Sequence, residues 1–306
     1  MNQFRDGEVS RLFLVTAATG KTGRATVELL LARGHRVRAM AHRDDERSRA
    51  LAAAGAEVVH ADLLDFPAVA AAMSGVSGAY FCYPIRPGLL EATVNVAQAA
   101  TEAGVRSIVS MSQISARREA GSTAARQHWL AERVLDRTGL LTTHLRPTFF
   151  AEWLTSWWDR RDGIGYLRLP FGDGRHAPIA AADQARVIAA VLAEPEPHDR
   201  AAYRLHGPVE LDHHGIAAAV SAELGIPVRY EPISDEEFAG AMTRHGFPAH
   251  LVQHLGHVAL DYRNGVFAGT NDNIEKIGGR APLSVGQFVR ENRAEFDTDG
   301  PYAVKP

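Results

Sequence analysis

The sequence predicts an α/β protein, a doubly wound parallel sheet followed by a smaller α+β C-terminal region. Three observations carry this. Short apolar runs alternate with helical patterns through the first half of the chain, as in repeated β-α units. A small-residue turn, Val15-Thr16-Ala17-Ala18-Thr19-Gly20-Lys21-Thr22-Gly23, joins the first apolar run to the first helical pattern. After Pro147 the rhythm changes to aromatic and loop-rich sequence.

The elements follow in order. Leu12-Phe13-Leu14-Val15 is a strand, and apolar spacing at Val27, Leu30 and Leu31 makes Arg24 to Arg33 a helix stopped by Gly34. Val37 to Ala41 is a second strand. Asp44 or Asp45 caps a helix through Ala54, closed by Gly55. Glu57 to Ala61 is a third strand, and Pro67 opens a helix to Met73. Ala79 to Tyr83 is a fourth strand, Glu91 to Ala103 a helix, and Ser107 to Met111 a fifth strand. Thr123 to Arg137 is helical, and Leu141 to Arg146 is a sixth strand stopped by Pro147. Beyond it, Gly163 to Gly174 reads as loop and turn. Asp183 to Leu192 is helical, and Pro195 to Pro197 a linker. Tyr203 to Leu205 is a strand, and Asp212 caps a helix to Leu224. Val228 to Tyr230 is a short strand, and Asp235 to Gly246 a helix.

A chain of 306 residues with a net charge of −3 suits one large α/β domain or two modest ones. That charge gives no general attraction to nucleic acid or membrane. No apolar run reaches the roughly 18–20 residues that span a bilayer. Met1 to Ser10 is polar, without the apolar stretch of a signal peptide. Cys82 is the only cysteine, which excludes an internal disulfide and a thiolate metal cluster. A cytoplasmic protein is expected.

The turn after the first strand is a ready anion site. A helix's first N–H groups lack helical partners and its dipole is positive there. Small residues let a pyrophosphate approach the backbone. Gly20 and Gly23 fit the dinucleotide fingerprint, with Ala17 at its first glycine position. The alternative is an ordinary strand–turn–helix connection. In the cofactor reading, Thr16, Ala18, Thr19, Gly20, Lys21, Thr22 and Gly23 make the contacts. About 20 residues on, an acid would select the ribose 2′-OH of NAD, whereas an arginine favours the 2′-phosphate of NADP. That position holds Arg43, so NADP is expected, with NADPH preferred over NADH. Against this, Asp44-Asp45-Glu46 follow directly; they can serve the next helix and leave Arg43 a solvated charge. Asp62 and Leu63, ending the third strand, either flank the adenine or cap a helix.

These stretches resemble a known group. The turn, Ala61-Asp62-Leu63-Leu64-Asp65, His128-Trp129-Leu130-Ala131-Glu132 and Leu145-Arg146-Pro147-Thr148-Phe149-Phe150 look like the NmrA-like branch of the atypical short-chain dehydrogenase/reductases. Ala182-Asp183-Gln184-Ala185, Tyr203 to Pro208 and Gly279-Arg280-Ala281-Pro282 fit as well. The resemblance runs from about Arg11 to Phe296 and implies a Rossmann core with a small C-terminal domain over the cofactor cleft. Residues 1–150 are then the NADP-binding core and 151–306 the smaller substrate or cap domain, with 177–206 returning to the core. The branch contains NADPH-dependent quinone and azo reductases, double-bond reductases, and sensors that bind NADP without turnover. The family's usual glycine is Ala17 here, and alanine fits there if its φ is negative.

Short-chain dehydrogenases of the standard type use a Tyr-x-x-x-Lys pair. Aligned on Glu132, the tyrosine position holds Ala124 and the lysine position His128. His128 either holds the nicotinamide ribose or donates a proton; otherwise it forms a surface pair with Glu132 at i,i+4. Ser112 bonds a substrate oxygen or caps a loop. Tyr83 is a proton donor or a packing residue. Trp153, Trp157, Trp158, Phe149 and Phe150 form either an apolar lid for an aromatic substrate or a core between domains. His245, His250, His254 and His257 lack an associated carboxylate motif, and no metal is expected.

Two functions follow. One is an NADPH-dependent oxidoreductase passing hydride to a quinone-like or conjugated small molecule. Absence of the Tyr/Lys pair suits an acceptor whose charge is delocalised. The other is a non-catalytic NADP sensor that binds a protein partner. No nucleic acid or membrane partner is expected, and a homodimer is possible.

Overall fold

The computed structural model describes residues 10–297; the polar stretch Met1 to Val9, read above for its lack of an apolar leader, lies outside the described residues. The first half alternates strictly: β1 (Leu12–Val15), α1 (Lys21–Ala32), β2 (Arg36–Ala41), α2 (Glu46–Ala53), β3 (Glu57–His60), α3 (Phe66–Met73), β4 (Gly78–Phe81), α4 (Leu89–Glu102), β5 (Ser107–Met111), α5 (Thr123–Leu135) and β6 (Leu141–Pro147). Then come α6 (Trp153–Ser156), β7 (Trp158–Arg161), β8 (Ile164–Leu169), β9 (Arg175–His176), α7 (Ala181–Ala193) and β10 (Ala201–Leu205). The rest is β11 (Leu211–Asp212), α8 (His213–Leu224), β12 (Val228–Pro232), α9 (Asp235–Arg244), α10 (Ala249–Arg263), α11 (Asn273–Gly278) and α12 (Val285–Glu291).

Seven parallel strands form the main sheet in the order β10-β6-β5-β4-β1-β2-β3. All four residues of β1 and of β4 are buried, as strands covered on both faces must be. One face carries α3, α4 and α5 over Leu14, Ala79 and Ile108. The other carries α1 and α7 over Phe13, Val15 and Val109, with α11 against α7. Each fully buried Leu, Val or Ile contributes about 1.5–3 kcal/mol. The helices start on short polar caps: Asp45, Asp65 and Ser122 accept from first-turn N–H groups of α2, α3 and α5. Strand order reverses between β1 and β4, so a crevice opens there at the carboxyl ends of the strands.

The C-terminal region has its own core around Trp157, Trp158, Leu167, Phe171 and Tyr262. It holds a three-stranded sheet, β12-β8-β7, and the pair β11-β9. Here the structure corrects the sequence. The stretch from Gly163 to Gly174 is not all loop, since β8 lies inside it. Its inward positions are Gly165, Leu167 and Leu169, and the glycine hid the alternation. Gly165 is there because a Cβ would stand 2.1 Å from the Trp158 ring. The histidine-rich stretch after Gly246 forms the 15-residue helix α10. Helix α1 starts at Lys21, earlier than Arg24, directly from Gly20. No helix among the described residues is long and apolar enough to cross a membrane.

Candidate functional site

The small-residue turn lies at the crevice, between β1 and α1. Gly20 is the N-cap of α1 and no side chain caps it. The first-turn N–H groups of Lys21, Thr22 and Gly23 therefore have no helical acceptor and face an anion position. Gly23 is obligatory for packing: a Cβ there would stand 2.3 Å from the Ala17 carbonyl oxygen. Ala17 has φ +48°, so the condition that its φ be negative fails. A left-handed alanine costs about 1–2 kcal/mol, a cost that glycine at this position would not bear. Thr16 and Ala18 are fully buried. Thr16 Oγ1 accepts from the Cys82 N–H at 2.8 Å and donates to the Cys82 carbonyl at 3.2 Å, tying the ends of β1 and β4. Thr19 is half-buried, Gly20 and Lys21 are exposed, and Thr22 is buried.

At the end of β2, Arg43 is exposed and forms no ion pair among the described residues. The acids after it are engaged elsewhere. Asp45 makes a capping box with Ser48 and pairs with Arg47, while Asp44 pairs with Arg49 at 3.0 Å. Asp62 Oδ1 accepts from the Leu64 N–H, and its carboxylate lies 3.6 Å from both His42 and Arg86. The cap of α3 is Asp65, not Asp62. Leu63 turns its side chain into the core, and its carbonyl accepts from Asn95. Of that pair, Asp62 is the one left near the crevice surface.

The other end of the crevice departs most from expectation. His128 and Glu132 are not a surface pair; they are 5% and 1% exposed. Burial pushes the His128 ring down to about 4 against the pull of Glu132, so it is neutral near pH 7. It can hydrogen-bond but does not serve as a proton donor of ordinary acidity. Ser112 donates to Glu132 Oε1 at 2.6 Å, so its proton is not offered to a substrate oxygen. Arg146, on β6, donates to both Glu132 oxygens, from Nε at 2.8 Å and from Nη2. Tyr83 donates to the Pro87 carbonyl at 2.9 Å and accepts from Arg86 Nε at 3.1 Å, which removes its proton too. Arg146 and Glu132 were visible in the sequence only as parts of motifs; their pairing is a tertiary fact.

Of the aromatic residues, Trp157 and Trp158 belong to the C-terminal core. Phe149, Phe150 and Trp153 are partly buried and, with Pro178, His176 and His213, line a small cavity of about 10 Å³. That is room for one water-sized atom. Glu152 sits beside it in sequence. Its Oε1 accepts from the Ala181 N–H at the start of α7, its Oε2 has no partner, and burial raises its pKa. Helix α10 docks over the loop after β5. His254 bonds Ser122 at 2.8 Å, Asp261 pairs with Arg117, and His250 Nε2 reaches the Ile85 carbonyl. His257 packs so closely that a Cβ on Gly121 would lie 2.5 Å from its Nδ1. These histidines hold the C-terminal region onto the sheet.

The residues fit a dinucleotide: open N–H groups at α1, a turn with no room for a Cβ at Gly23, and two exposed cations, Lys21 and Arg43, in no ion pair within 4 Å among the described residues. A family model described as NAD(P)H-binding matches residues 17–195. The NAD(P)H azoreductase of Xenophilus azovorans is 30% identical over 287 residues, 93% of this chain and 99% of the relative. An NADPH-dependent quinone oxidoreductase of Escherichia coli, solved with NADPH, superposes with a TM-score of 0.79 at 25% identity, covering 92% of this chain and 99% of that one. The negative transcriptional regulator NmrA, solved with NAD, shares the fold with a TM-score of 0.80 at 16% identity, covering 92% and 95%. The chain belongs to the NAD(P)H-binding family, in the NmrA-like branch of the atypical short-chain dehydrogenase/reductases.

Proposed function

We propose that the protein is an NADPH-dependent reductase of conjugated, aromatic small molecules, of the quinone or azo class. The observation that carries this is one sheet edge bearing both features: the open N-terminus of α1 after β1, and the aromatic wall of Phe149, Phe150 and Trp153 after β6. In this reading the Gly20–Gly23 turn holds the pyrophosphate and Arg43 the 2′-phosphate. Asp62 borders the adenosine, and neutral His128 hydrogen-bonds the nicotinamide ribose. Bound NADPH supplies a hydride, and the aromatic wall aligns a planar acceptor. Residues 1–150 hold the cofactor, 151–306 cover the substrate, and 177–206 complete the main sheet. Reduction of a quinone or azo bond delocalises the new charge, so it asks less of a local acid than ketone reduction does. The azoreductase and quinone oxidoreductase relatives support this substrate class.

One observation favours a second reading, a sensor that binds NADP and a protein partner without turnover. The protons of Ser112 and Tyr83 are held by internal acceptors, and His128 is neutral. One assay separates the two. Purified protein is mixed with NADPH or NADH and a panel of quinones and azo dyes, and nicotinamide absorbance is followed. Turnover with NADPH favoured supports the reductase. Tight NADP⁺ binding with no turnover of any acceptor supports the sensor.

A further inference from the structure

We propose that His176, Tyr262 and His213 form a proton relay opening on the aromatic cavity, which supplies the proton consumed in the reduction; this rests on the reductase reading above. The need is set by the site. Ser112 and Tyr83 give their protons to internal acceptors, and neutral His128 has no hydrogen-bond partner among the described residues to replace a proton it gives up, while reduction of a quinone or azo bond consumes one. The relay stands against the aromatic wall, with the Phe149 and His176 rings 5.8 Å apart. Tyr262 OH lies 2.5 Å from His176 Nδ1 and 3.2 Å from His213 Nδ1. All three side chains are buried, at 0%, 3% and 2% exposure respectively. His176 and His213 both line the cavity with Phe149, Phe150 and Trp153. The cavity's size matches a single terminal atom such as a quinone oxygen.

A tyrosine hydroxyl between two Nδ1 atoms has one hydrogen to donate, so it donates to one ring and accepts from the other. The chain is therefore directional. It runs toward the cavity when, at rest, His176 carries its hydrogen on Nε2 and His213 on Nδ1. Hydride transfer to a quinone leaves an oxyanion. His176 Nε2 gives that oxygen its proton while His176 Nδ1 takes the proton of Tyr262. The Tyr262 oxygen takes the proton of His213 Nδ1, and His213 Nε2 is reprotonated by water that enters the cavity it lines once the product has left. The hydride carries both electrons, one proton enters and one leaves. No buried ring has to stay charged, which fits the environment: burial holds His213 down to about 3 and His176 well below its usual range, and raises Tyr262. Individually these rings are poor acids. In a chain they pass a proton without storing it.

The test has two parts. Ring ¹⁵N NMR on the full-length protein, near neutral pH, should show His176 as the Nε2–H tautomer and His213 as the Nδ1–H tautomer, both neutral. Both rings in one tautomer, or either charged, overturns the relay without any variant. Tyr262→Phe keeps the ring and removes the hydroxyl. With a naphthoquinone as acceptor it should lower kcat about a hundredfold, leave the NADPH Kd within about twofold, and abolish the multi-proton solvent isotope effect of the wild type. Unchanged kcat with wild-type turnover intact overturns the relay alone. Wild-type protein that reduces no acceptor overturns the reductase reading and the relay with it.

Discussion

The two ends of the cofactor crevice treat their polar groups in opposite ways. At the phosphate end the groups are open: N–H donors without helical acceptors at α1, and Lys21 and Arg43 exposed without ion pairs among the described residues. At the reaction end they are closed. Ser112, Arg146 and Glu132 bond one another, Tyr83 bonds Pro87, and His128 and His254 are buried neutral. The open end is made from neighbouring residues, so it binds with backbone and free charge. The closed end is made from residues far apart in the chain, and its groups hold position instead of offering protons. The difference teaches that cofactor binding and proton supply are separate problems in this fold.

Acid should strike the closed end first. His128 and His254 have folded values of about 4 against an ordinary 6.5. Between those values the unfolded chain binds protons that the folded one refuses. Stability is therefore full above about pH 6.5 and falls as the pH drops toward 4, by about 2–3 kcal/mol per ring. His176 and His213 are depressed in the same sense, so the measurement is a difference. Denaturant midpoints of wild type and His128→Gln from pH 7 to 4 should converge as the pH falls. Parallel curves would mean that His128 is not held neutral, and the contrast between the ends would lose its acid-base half.

Next in size is Glu132→Ala. It leaves Arg146 partly buried without its hydrogen-bonded carboxylate and Ser112 without its acceptor. About 3 kcal/mol of stability should be lost, read from urea unfolding. A loss under about 0.5 kcal/mol would show that the network is not what closes this end. Arg43→Ala tests the open end. Losing one charge-assisted contact to a phosphate, about 2 kcal/mol, should weaken NADPH about thirtyfold and NADH less than twofold by fluorescence titration. Equal weakening of both would remove Arg43 from the 2′-phosphate.

The same contrast explains what could be read from the sequence. The main sheet was legible because each β-α unit carries its own period, cap and stop, as Asp45 and Gly34 do. The turn was legible because its glycines and helix are contiguous. Strand β8 was not, since Gly165 occupies an inward position for the sake of Trp158. The fate of Ser112 was not, because its acceptor Glu132 is 20 residues away on another element. Tyr262 and His176, 86 residues apart, gave no local sign at all.

The smallest effect bears on Ala17, which stands at the first glycine position of the dinucleotide fingerprint. Ala17 stands at φ +48°, in the left-handed region, and its carbonyl packs against Gly23 and accepts from the Gly20 N–H at 2.9 Å. The turn needs that conformation to bring β1 into α1, so alanine bears a cost that glycine avoids. Ala17→Gly also loosens the unfolded chain, which offsets part of the gain. The net should be a stabilisation of about 0.5–1 kcal/mol, a rise in Tm of a few degrees, with NADPH affinity equal or slightly better. A fall in Tm would mean that the turn relaxes to carry Ala17 without strain. The open end would then owe its shape to Gly20 and Gly23 alone.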